Sequence, residues 1–570
     1  MEDREKSRKL LIINLTRMGD LLQMTPFLSG LRQENPEVHI TLMVLKEFTD
    51  VCAGFPFVDE IESFDANGFI VGMEGTDRSL VGNFRILEGL VTRLRGRRFD
   101  QIVNLSFSNI SAFLAYLLRV KDLRGVTMDK EGHRLLKHAW IRHFYNIVSN
   151  REINLFNYVD FIRKIGGCSR RAPMSFAVSE SGRRFVRTFC KGREISEKDR
   201  VIGMQLGASR KNRWWPIPSF AGLTEALIRD GGKIIFFGSP GERELGKKLK
   251  EAVSLSAGEK RSCLFDMTGQ TTVDQLAALV DRCDILVTCD TGTMHVATAV
   301  GTQVVALFFG PAYFPETGPY GEGQIVIQAD VPCAPCGHDT VCKNPLCRDM
   351  ISVSHVKGVI DILGEGSLAS RCQLEDGPQW KGVQIYRAAF DEDGMLEFTP
   401  VIRRPVARMD VIRQMYREMW KLVLDERGGE IDPTRVRERI RRCFAIDGGP
   451  WFPQADRAAF DRLQTLAFQG IEASKRLIRW SDMPDQHVGA IKAEAQTMRA
   501  IDEQIELQGM THQACQALTF MFRQGKENLE GNHIGFLAQD TLGLYEILLR
   551  EARLMSRGLE QVSATMKITP

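Results

Sequence analysis

The chain has 570 residues, of which 44% are hydrophobic and 26% are charged, and its formal net charge is +3. That length exceeds what one hydrophobic core can organise, and a prior of about 150 residues per domain predicts three or four structural units. The composition is that of an ordinary globular protein, no apolar run approaches the roughly 18 residues that a membrane-spanning helix requires, and the near-neutral charge decides nothing about nucleic acid.

The first third of the chain alternates short apolar runs with segments of helical periodicity. Residues 10–15 form a continuous apolar run, typical of a strand buried on both faces, and residues 21–34 follow as a predicted helix. Further strands are predicted at 38–44, 61–64, 101–105 and 123–126, and further helices at 113–118, 133–148 and 154–165. This order predicts a parallel, doubly wound sheet.

Asp20 stands at the junction between the first predicted strand and the helix after it. No Gly-x-Gly-x-x-Gly follows this strand, which disfavours a dinucleotide site there. Asp20 could simply cap the helix, or it could face a cleft as a general base. The helix N-terminus is expected to lower the pKa of its carboxyl group.

A second series of strands and helices begins near residue 201, so two similar α/β units stand in tandem. Within it, the turn Asp290-Thr-Gly-Thr joins a buried strand to a short helix that ends at Gly301. Asp290 or Thr291 can cap this helix. Because a helix N-terminus at the carboxyl end of a parallel strand attracts anions, the turn is either an anion site or a capped crossover without a ligand.

Three short motifs occur in order along the chain. They are Asn14-Leu-Thr-Arg-Met-Gly-Asp20, Gly207-Ala-Ser followed by Arg213-Trp-Trp-Pro216, and Asp290-Thr-Gly-Thr-Met-His295. With segments 238–242 and 267–269 beside them, residues 9–364 resemble the family-9 glycosyltransferases, whose best-known members are ADP-heptose:lipopolysaccharide heptosyltransferases.

The resemblance implies a GT-B fold, in which two Rossmann-like domains face a cleft, and inverting sugar transfer that requires no metal ion for catalysis. It places the catalytic base at Asp20 and the ribose contact at Glu242. Arg213 stands where the family usually has a lysine that neutralises the phosphates, and a guanidinium can grip a phosphate with two hydrogen bonds. The resemblance assigns donor binding to Arg213, Glu242, Asp290, Thr291, Gly292, Thr293 and His295.

The resemblance leaves two residues and one region open. Asn104 stands where many relatives carry aspartate, and His295 could face the diphosphate or pack against the sheet. The predicted domains are 1–185 on the acceptor side, 186–366 for the nucleotide sugar, and 367–570 as a hairpin plus a mainly α-helical extension that the resemblance does not cover.

Cys333, Cys336, Cys342 and Cys347 lie in one loop at 333–347, separated by two, five and four residues. Four thiolates at such spacing could surround a structural zinc or iron ion, with His338 able to replace one of them. The alternative is a set of free surface thiols. A nucleic-acid zinc finger is not indicated, because no recognition helix or basic stripe follows.

Beyond residue 406 the pattern is helical. Apolar residues at 409, 412, 415, 419 and 422 share one face, and similar patterns recur at 460–480, 487–507, 514–522 and 542–559. This predicts a helical bundle docked on the enzyme, with acceptor recognition or oligomerisation as functional alternatives. The arginine-rich segment 435–442 could meet an anionic lipid surface or remain a solvated face.

The favoured hypothesis is an inverting glycosyltransferase that moves heptose or a related sugar from a nucleotide diphosphate sugar, such as ADP-heptose, to a lipopolysaccharide core or another surface glycoconjugate or protein. The alternative is a non-catalytic GT-B scaffold that binds nucleotide or glycan. Thirteen scattered cysteines and a charged start without an apolar signal segment predict a cytoplasmic protein, which could touch the cytoplasmic face of the inner membrane. No nucleic-acid partner is expected.

Overall fold

The computed structural model describes residues 8–66, 77–147, 151, 154–337, 340–364, 377–446, 454–481, 487–529, 531 and 533–566. The chain divides into two compact units. The first unit contains Met1–Ile141 and Phe156–Ile402, and the second contains Arg142–Leu155 and Arg403–Pro570. The boundary predicted at 366 lies outside the described residues, and the division into three predicted domains stays a prediction.

The first unit contains two Rossmann-like sheets, and we call the first sheet with its helices the first domain and the second sheet with its helices the second domain. The first sheet has six strands in the order β3-β2-β1-β4-β5-β6. Its strands are β1 Lys9–Asn14, β2 His39–Leu45, β3 Glu60–Phe64, β4 Gln101–Asn104, β5 Asp122–Met128 and β6 Arg134–Lys137. The helices of this part of the chain are α1 Met18–Gln23, α2 Thr25–Glu34, α3 Thr49–Cys52, α4 Asp77–Gly96, α5 Asn109–Leu118, α6 Ala139–Ile147 and α7 Tyr158–Gly166.

Strands β1 to β5 pair in parallel, as the alternating order predicts, whereas β6 pairs antiparallel with β5. The helix predicted to begin at 133 is therefore wrong over its first residues, which form β6. The helix predicted at 21–34 is also two helices that meet at Met24. Pro26 cannot continue a helix from Leu22, and the Thr25 hydroxyl donates to the Leu22 carbonyl instead, at 2.7 Å.

The second sheet has eight strands in the order β14-β13-β12-β11-β10-β7-β8-β9. They are β7 Val201–Gln205, β8 Lys233–Phe237, β9 Leu264–Asp266, β10 Ile285–Cys289, β11 Gln303–Phe308, β12 Ile325–Ala329, β13 Val383–Phe390 and β14 Leu396–Pro400. The helices around it are α8 Glu180–Gly192, α9 Ile217–Arg229, α10 Arg243–Ala252, α11 Ala257–Cys263, α12 Val273–Asp281, α13 Gly292–Val300, α14 Phe314–Thr317, α15 Leu346–Met350 and α16 Val353–Gly364.

Strands β7 to β12 pair in parallel, and β13 and β14 form an antiparallel hairpin. Because β13 also pairs with β12, the hairpin extends the second sheet, although the sequence grouped it with the C-terminal region. The strand order reverses between β1 and β4 in one sheet and between β7 and β10 in the other. Ligands bind at such switch points, outside the carboxyl ends of the strands, and α1 and α13 begin there.

The second unit is mainly α-helical, as predicted. It contains α17 Arg408–Leu424, α18 Pro433–Cys443, α19 Gln454–Ser481, α20 Val488–Thr511, α21 Gln516–Glu527, α22 Ile534–Met566 and the short paired strands β15 Arg404–Pro405 and β16 Phe444–Ala445. The solvated arginine face expected at 435–442 is wrong for Arg439, which is buried and donates to Glu418 at 2.7 Å. In the described part of the chain no helix is both long and apolar enough to cross a membrane.

Glu551 on α22 is a buried carboxyl group whose ionisation should weaken the second unit. Burial raises its pKa to about 8. Since an unfolded glutamate titrates near pH 4.3, the free energy of unfolding should fall as the pH rises from about 4.3 and reach its full loss above the folded pKa. Glu551→Gln should therefore raise the melting temperature more at pH 9 than at pH 5. The exposed Glu546→Gln on the same helix is the control, and equal shifts at both pH values would contradict the expectation.

Candidate active site

The first turns of α1 and α13 lie against each other in the first unit. A Cβ atom on Gly19 would lie 3.2 Å from Cδ2 of His295 and 3.6 Å from the Cα atom of Gly292. A Cβ atom on Gly292 would lie 2.5 Å from Cε of Met18. Glycine at both positions thus allows the two helix starts to approach closely. The two motifs that end at Asp20 and begin at Asp290 are thereby brought to one place, where the two Rossmann-like domains meet.

Asp20 is the third residue of α1, and it is half-buried. The backbone amide of Arg17 donates to its Oδ2 atom at 3.3 Å. Burial nevertheless raises the pKa of Asp20, against the lowering effects of the Arg17 amide and charge and of Thr16, and the Asp290 carboxylate raises it further. The expected lowering of this pKa is therefore wrong, because desolvation outweighs the helix terminus. A carboxylate with a raised pKa is a better proton acceptor.

Arg213 and Asp290 form an ion pair on the opposite side. Arg213 Nη1 donates to Asp290 Oδ2 at 3.0 Å, and the two side chains are only 16% and 10% exposed. Asp290 is therefore the ion-pair partner of Arg213 at the start of α13. Thr291 occupies the N-cap position, but its side chain accepts no capping hydrogen bond. The ion pair holds a guanidinium next to a helix N-terminus, an arrangement suited to binding an anion.

Thr293 and Glu242 are joined through a residue that the sequence did not single out. The Thr293 hydroxyl donates to Gln205 Oε1 at 2.8 Å, and Gln205 Nε2 donates to Glu242 Oε2 at 3.4 Å. Gln205 is buried at the carboxyl end of β7. The sequence feature that could have identified Gln205 is its position as a polar residue at the end of an otherwise apolar strand. Gln205 thus ties the turn at 290–293 to the segment at 238–242.

Glu242 faces a cavity of about 520 Å³, which we call the donor cavity after the role that the resemblance predicts for Glu242. The backbone amide of Ser239 donates to Glu242 Oε2 at 2.6 Å and fixes the carboxylate. The cavity brings together four separate segments of the second domain and one residue of the first. Its lining includes Met18, Gln205, Gly207, Trp214, Gly238, Glu242, Thr272, Leu276, Thr291, Gly292 and Thr293.

Gly207→Ala should weaken nucleotide binding, because a Cβ atom there would lie 1.7 Å from Glu242 Oε1 and would displace the carboxylate. If that carboxylate holds the ribose hydroxyls, losing its hydrogen bonds should cost about 1–3 kcal/mol, or roughly 5–150-fold in the Kd of the nucleotide. Isothermal titration calorimetry measures this Kd. Gly192→Ala, where a Cβ atom meets nothing within 4 Å, is the matched control. An unchanged Kd in Gly207→Ala would contradict the role of Glu242.

His295 is 4% exposed, and burial lowers its pKa to about 4, so its ring is neutral at physiological pH. Its Cδ2 edge faces Gly19, and its Nδ1 atom makes no hydrogen bond to the described part of the chain. The ring therefore packs between α13 and α1. Its proposed contact with the diphosphate stays a prediction.

A second cavity, of about 700 Å³, lies on the side of the first domain, and we call it the acceptor cavity after the role that the sequence predicts for that domain. It is lined by Leu15, Thr16, Arg17, Met18, Gly19, Asp20, Leu45, Glu47, Phe48 and Gly292. Asp20 lines this cavity, and Met18 and Gly292 line both cavities. Asn104 does not line it; this buried amide donates to the Val126 carbonyl at 2.7 Å and accepts from the Ser106 amide at 3.0 Å. Asn104 therefore stabilises the sheet.

The cysteine loop adjoins the same end of the second sheet. The Cys336 amide donates to the carbonyl of Gly310, at the end of β11. Burial raises the pKa values of the Cys336 and Cys347 thiols, and the neighbouring thiols raise them further. In the described ranges, however, no three or more His, Cys, Asp or Glu side chains are placed so that they could hold a metal ion. His338 lies outside those ranges. The structural metal stays a prediction, which elemental analysis of untagged protein can test.

Two Rossmann-like sheets with a cleft between them form a GT-B fold, and at the cleft a cation lies beside a helix start. The sequence model of glycosyltransferase family 9 (heptosyltransferase) matches residues 88–346. The chain is 31% identical over 316 residues to lipopolysaccharide heptosyltransferase 2 of Salmonella typhimurium, covering 53% of this chain and 83% of that protein. The chain belongs to glycosyltransferase family 9, and the resemblance inferred from the motifs is confirmed.

A further sequence relative and a solved structure are also similar to this chain. Lipooligosaccharide heptosyltransferase 2 of Haemophilus influenzae is 23% identical over 321 residues, which cover 56% of this chain and 88% of that protein. The crystal structure of a family-9 glycosyltransferase from Veillonella parvula superposes with a TM-score of 0.50 at 21% identity, covering 65% of this chain and all of that one. This structural likeness supports the fold.

Proposed function

We propose that the first unit transfers heptose or a related sugar, with inversion, from a nucleotide diphosphate sugar to a lipopolysaccharide core or another surface glycoconjugate. The observation that carries this proposal is the placement of Asp20 across from the Arg213–Asp290 pair at the start of α13. The named relatives are lipopolysaccharide and lipooligosaccharide heptosyltransferases, which favours heptose as the sugar and a glycolipid as the acceptor.

The donor would lie with its base and ribose in the donor cavity and its diphosphate against the first turn of α13. The backbone N–H groups of that turn have no helical carbonyl to bind and carry the positive end of the helix dipole. Arg213 adds a guanidinium group beside them, which its ion pair with Asp290 holds in place. Together these groups can stabilise the negative charge that develops on the leaving diphosphate. We therefore propose that this family member needs no metal ion for the transfer step.

The acceptor hydroxyl would enter through the acceptor cavity, which Asp20 lines. Its oxygen attacks the anomeric carbon from the face opposite the diphosphate, and the bond between that carbon and the diphosphate oxygen breaks. The hydroxyl proton passes to Asp20. The products are the glycosylated acceptor and a nucleoside diphosphate. Attack from the opposite face inverts the anomeric centre, and the raised pKa of Asp20 favours its role as the base.

A panel of nucleotides tests this function. Thermal shifts with ADP, UDP, GDP and CMP identify the base, and turnover with the matching nucleotide sugar and a lipopolysaccharide-core acceptor follows. We expect ADP to stabilise the chain most, and ADP-heptose to be turned over. Nucleotide binding without transfer to any acceptor would instead support a non-catalytic scaffold, and no stabilisation by any nucleotide would contradict donor binding altogether.

A glycolipid acceptor would bring the enzyme to the cytoplasmic face of the inner membrane, and we propose peripheral contact there. Oligomerisation through the helical unit stays a prediction. Sedimentation of the full chain with and without liposomes that contain the acceptor measures both properties.

A further inference from the structure

Met18 lies at the boundary between the two cavities. It is the first residue of α1, two residues before Asp20, and its side chain is half-buried. It lines both the donor cavity and the acceptor cavity. Its side chain therefore lies where the two cavities adjoin.

The tip of Met18 reaches across to the opposite domain. Its Cε atom occupies the space beside Gly292, where a Cβ atom would approach it to 2.5 Å. Gly292 begins α13, the helix whose first turn we assign to the diphosphate. Methionine has three rotatable side-chain bonds and an apolar end, so it can fill an irregular gap and still move. The side chain is thus an apolar, movable partition next to the place where the sugar would react.

We propose that Met18 is a positioning residue that separates the two cavities and keeps water from the anomeric carbon until the acceptor hydroxyl enters. This inference rests on the proposed function. Water can attack the same carbon as the acceptor: its oxygen bonds to the carbon, the bond to the diphosphate oxygen breaks, and a proton is lost to Asp20 or solvent. The products are then free sugar and nucleoside diphosphate. An enzyme that excludes water avoids this loss of donor.

Truncation of Met18 tests the inference. Donor hydrolysis is measured as release of nucleoside diphosphate without acceptor, and transfer is measured with acceptor present. Met18→Ala should raise hydrolysis roughly tenfold, which corresponds to about 1.4 kcal/mol, and should raise the ratio of hydrolysis to transfer. Met18→Leu keeps an apolar side chain of similar size and should restore the wild-type ratio. Met510→Ala makes the same change at a methionine that is 77% exposed on α20, and it should leave hydrolysis unchanged.

Each outcome decides the inference. Unchanged hydrolysis in Met18→Ala would overturn it, and so would a loss of donor binding in both Met18 variants without faster hydrolysis. Should Met18→Ala fold poorly by its melting temperature, Met18→Val shortens the side chain less and must still raise hydrolysis. Failure of the proposed function can be distinguished from failure of this inference, because in that case the wild-type chain itself would transfer no sugar. The inference would then be contradicted as well.

Discussion

Asp20→Asn should lower the rate of sugar transfer by roughly 10²–10⁴-fold, the usual contribution of a positioned acid or base. Asparagine has the same shape but cannot accept the proton of the attacking hydroxyl. Because Asp20 lines the acceptor cavity and the proposed nucleotide contacts lie across the cleft, the Kd of the nucleotide should stay near its wild-type value. Single-turnover kinetics and calorimetry measure the two quantities. Asp50→Asn, on the exposed side of α3, is the matched control.

The raised pKa of Asp20 also predicts how the stability of the chain should depend on pH. Because burial raises this pKa, ionising Asp20 costs more free energy in the folded chain than in the unfolded chain. The favourable contribution of the protonated group is present at low pH and is lost as the pH rises through the folded pKa. Asp20→Asn should therefore melt at the same or a higher temperature at pH 7. A lower melting temperature or retained transfer would contradict the assignment.

Asp160→Ala should destabilise the first unit by about 3–5 kcal/mol, the cost of leaving a buried charge without its partner. Asp160 on α7 is fully buried and accepts hydrogen bonds from the Tyr320 hydroxyl at 2.9 Å and from the Leu396 amide at 2.8 Å. Arg163, also fully buried, lies 3.7 Å from the same carboxylate and donates to the carbonyl of Gly394 at 3.2 Å. Removing Asp160 leaves that guanidinium without its counter-charge.

This group joins the two Rossmann-like domains, because α7 packs on α2 and β5 of the first sheet while Gly394 and Leu396 belong to the hairpin of the second. Its loss should also lower transfer, since the rate depends on how the two sides of the cleft are placed. Urea unfolding of the full chain measures the change, taken as the free energy of unfolding in the transition of the first unit. Asp361→Ala removes an exposed ion-pair partner of Lys357 and should have little effect. A change below about 1 kcal/mol in Asp160→Ala would contradict the account.

Much of the site follows from the sequence because its residues stand at the ends of apolar strands. Asp20 and the turn at Asp290 are each preceded by a buried run, and parallel strands bring their carboxyl ends to one edge. That reasoning locates the motifs on the correct elements. It does not show that Arg213 pairs with Asp290, because no spacing rule links residues that lie 77 positions apart.

Other features depend on packing that no local pattern carries. The pKa of Asp20 follows from burial between two domains, which outweighs the local helix terminus that the sequence reveals. In the hairpin that contains Leu396, apolar and polar residues alternate as in a surface hairpin. The Leu396 amide nevertheless donates a hydrogen bond to Asp160, which lies 236 positions away in the sequence. Met18 is another case. Nothing in the sequence around this methionine predicts a role for it, and only the structure shows that the end of its side chain lies beside Gly292.

The anomeric configuration of the product tests the central claim most directly. The wild-type chain, incubated with ADP-heptose and a lipopolysaccharide-core acceptor, should give ADP and one new glycosidic bond, and proton NMR reads the configuration at its anomeric carbon. Attack by the hydroxyl that Asp20 deprotonates, from the face opposite the α13 diphosphate site, predicts a configuration inverted from that of the donor. A product with the donor's configuration, or free heptose as the only sugar product, would contradict the account.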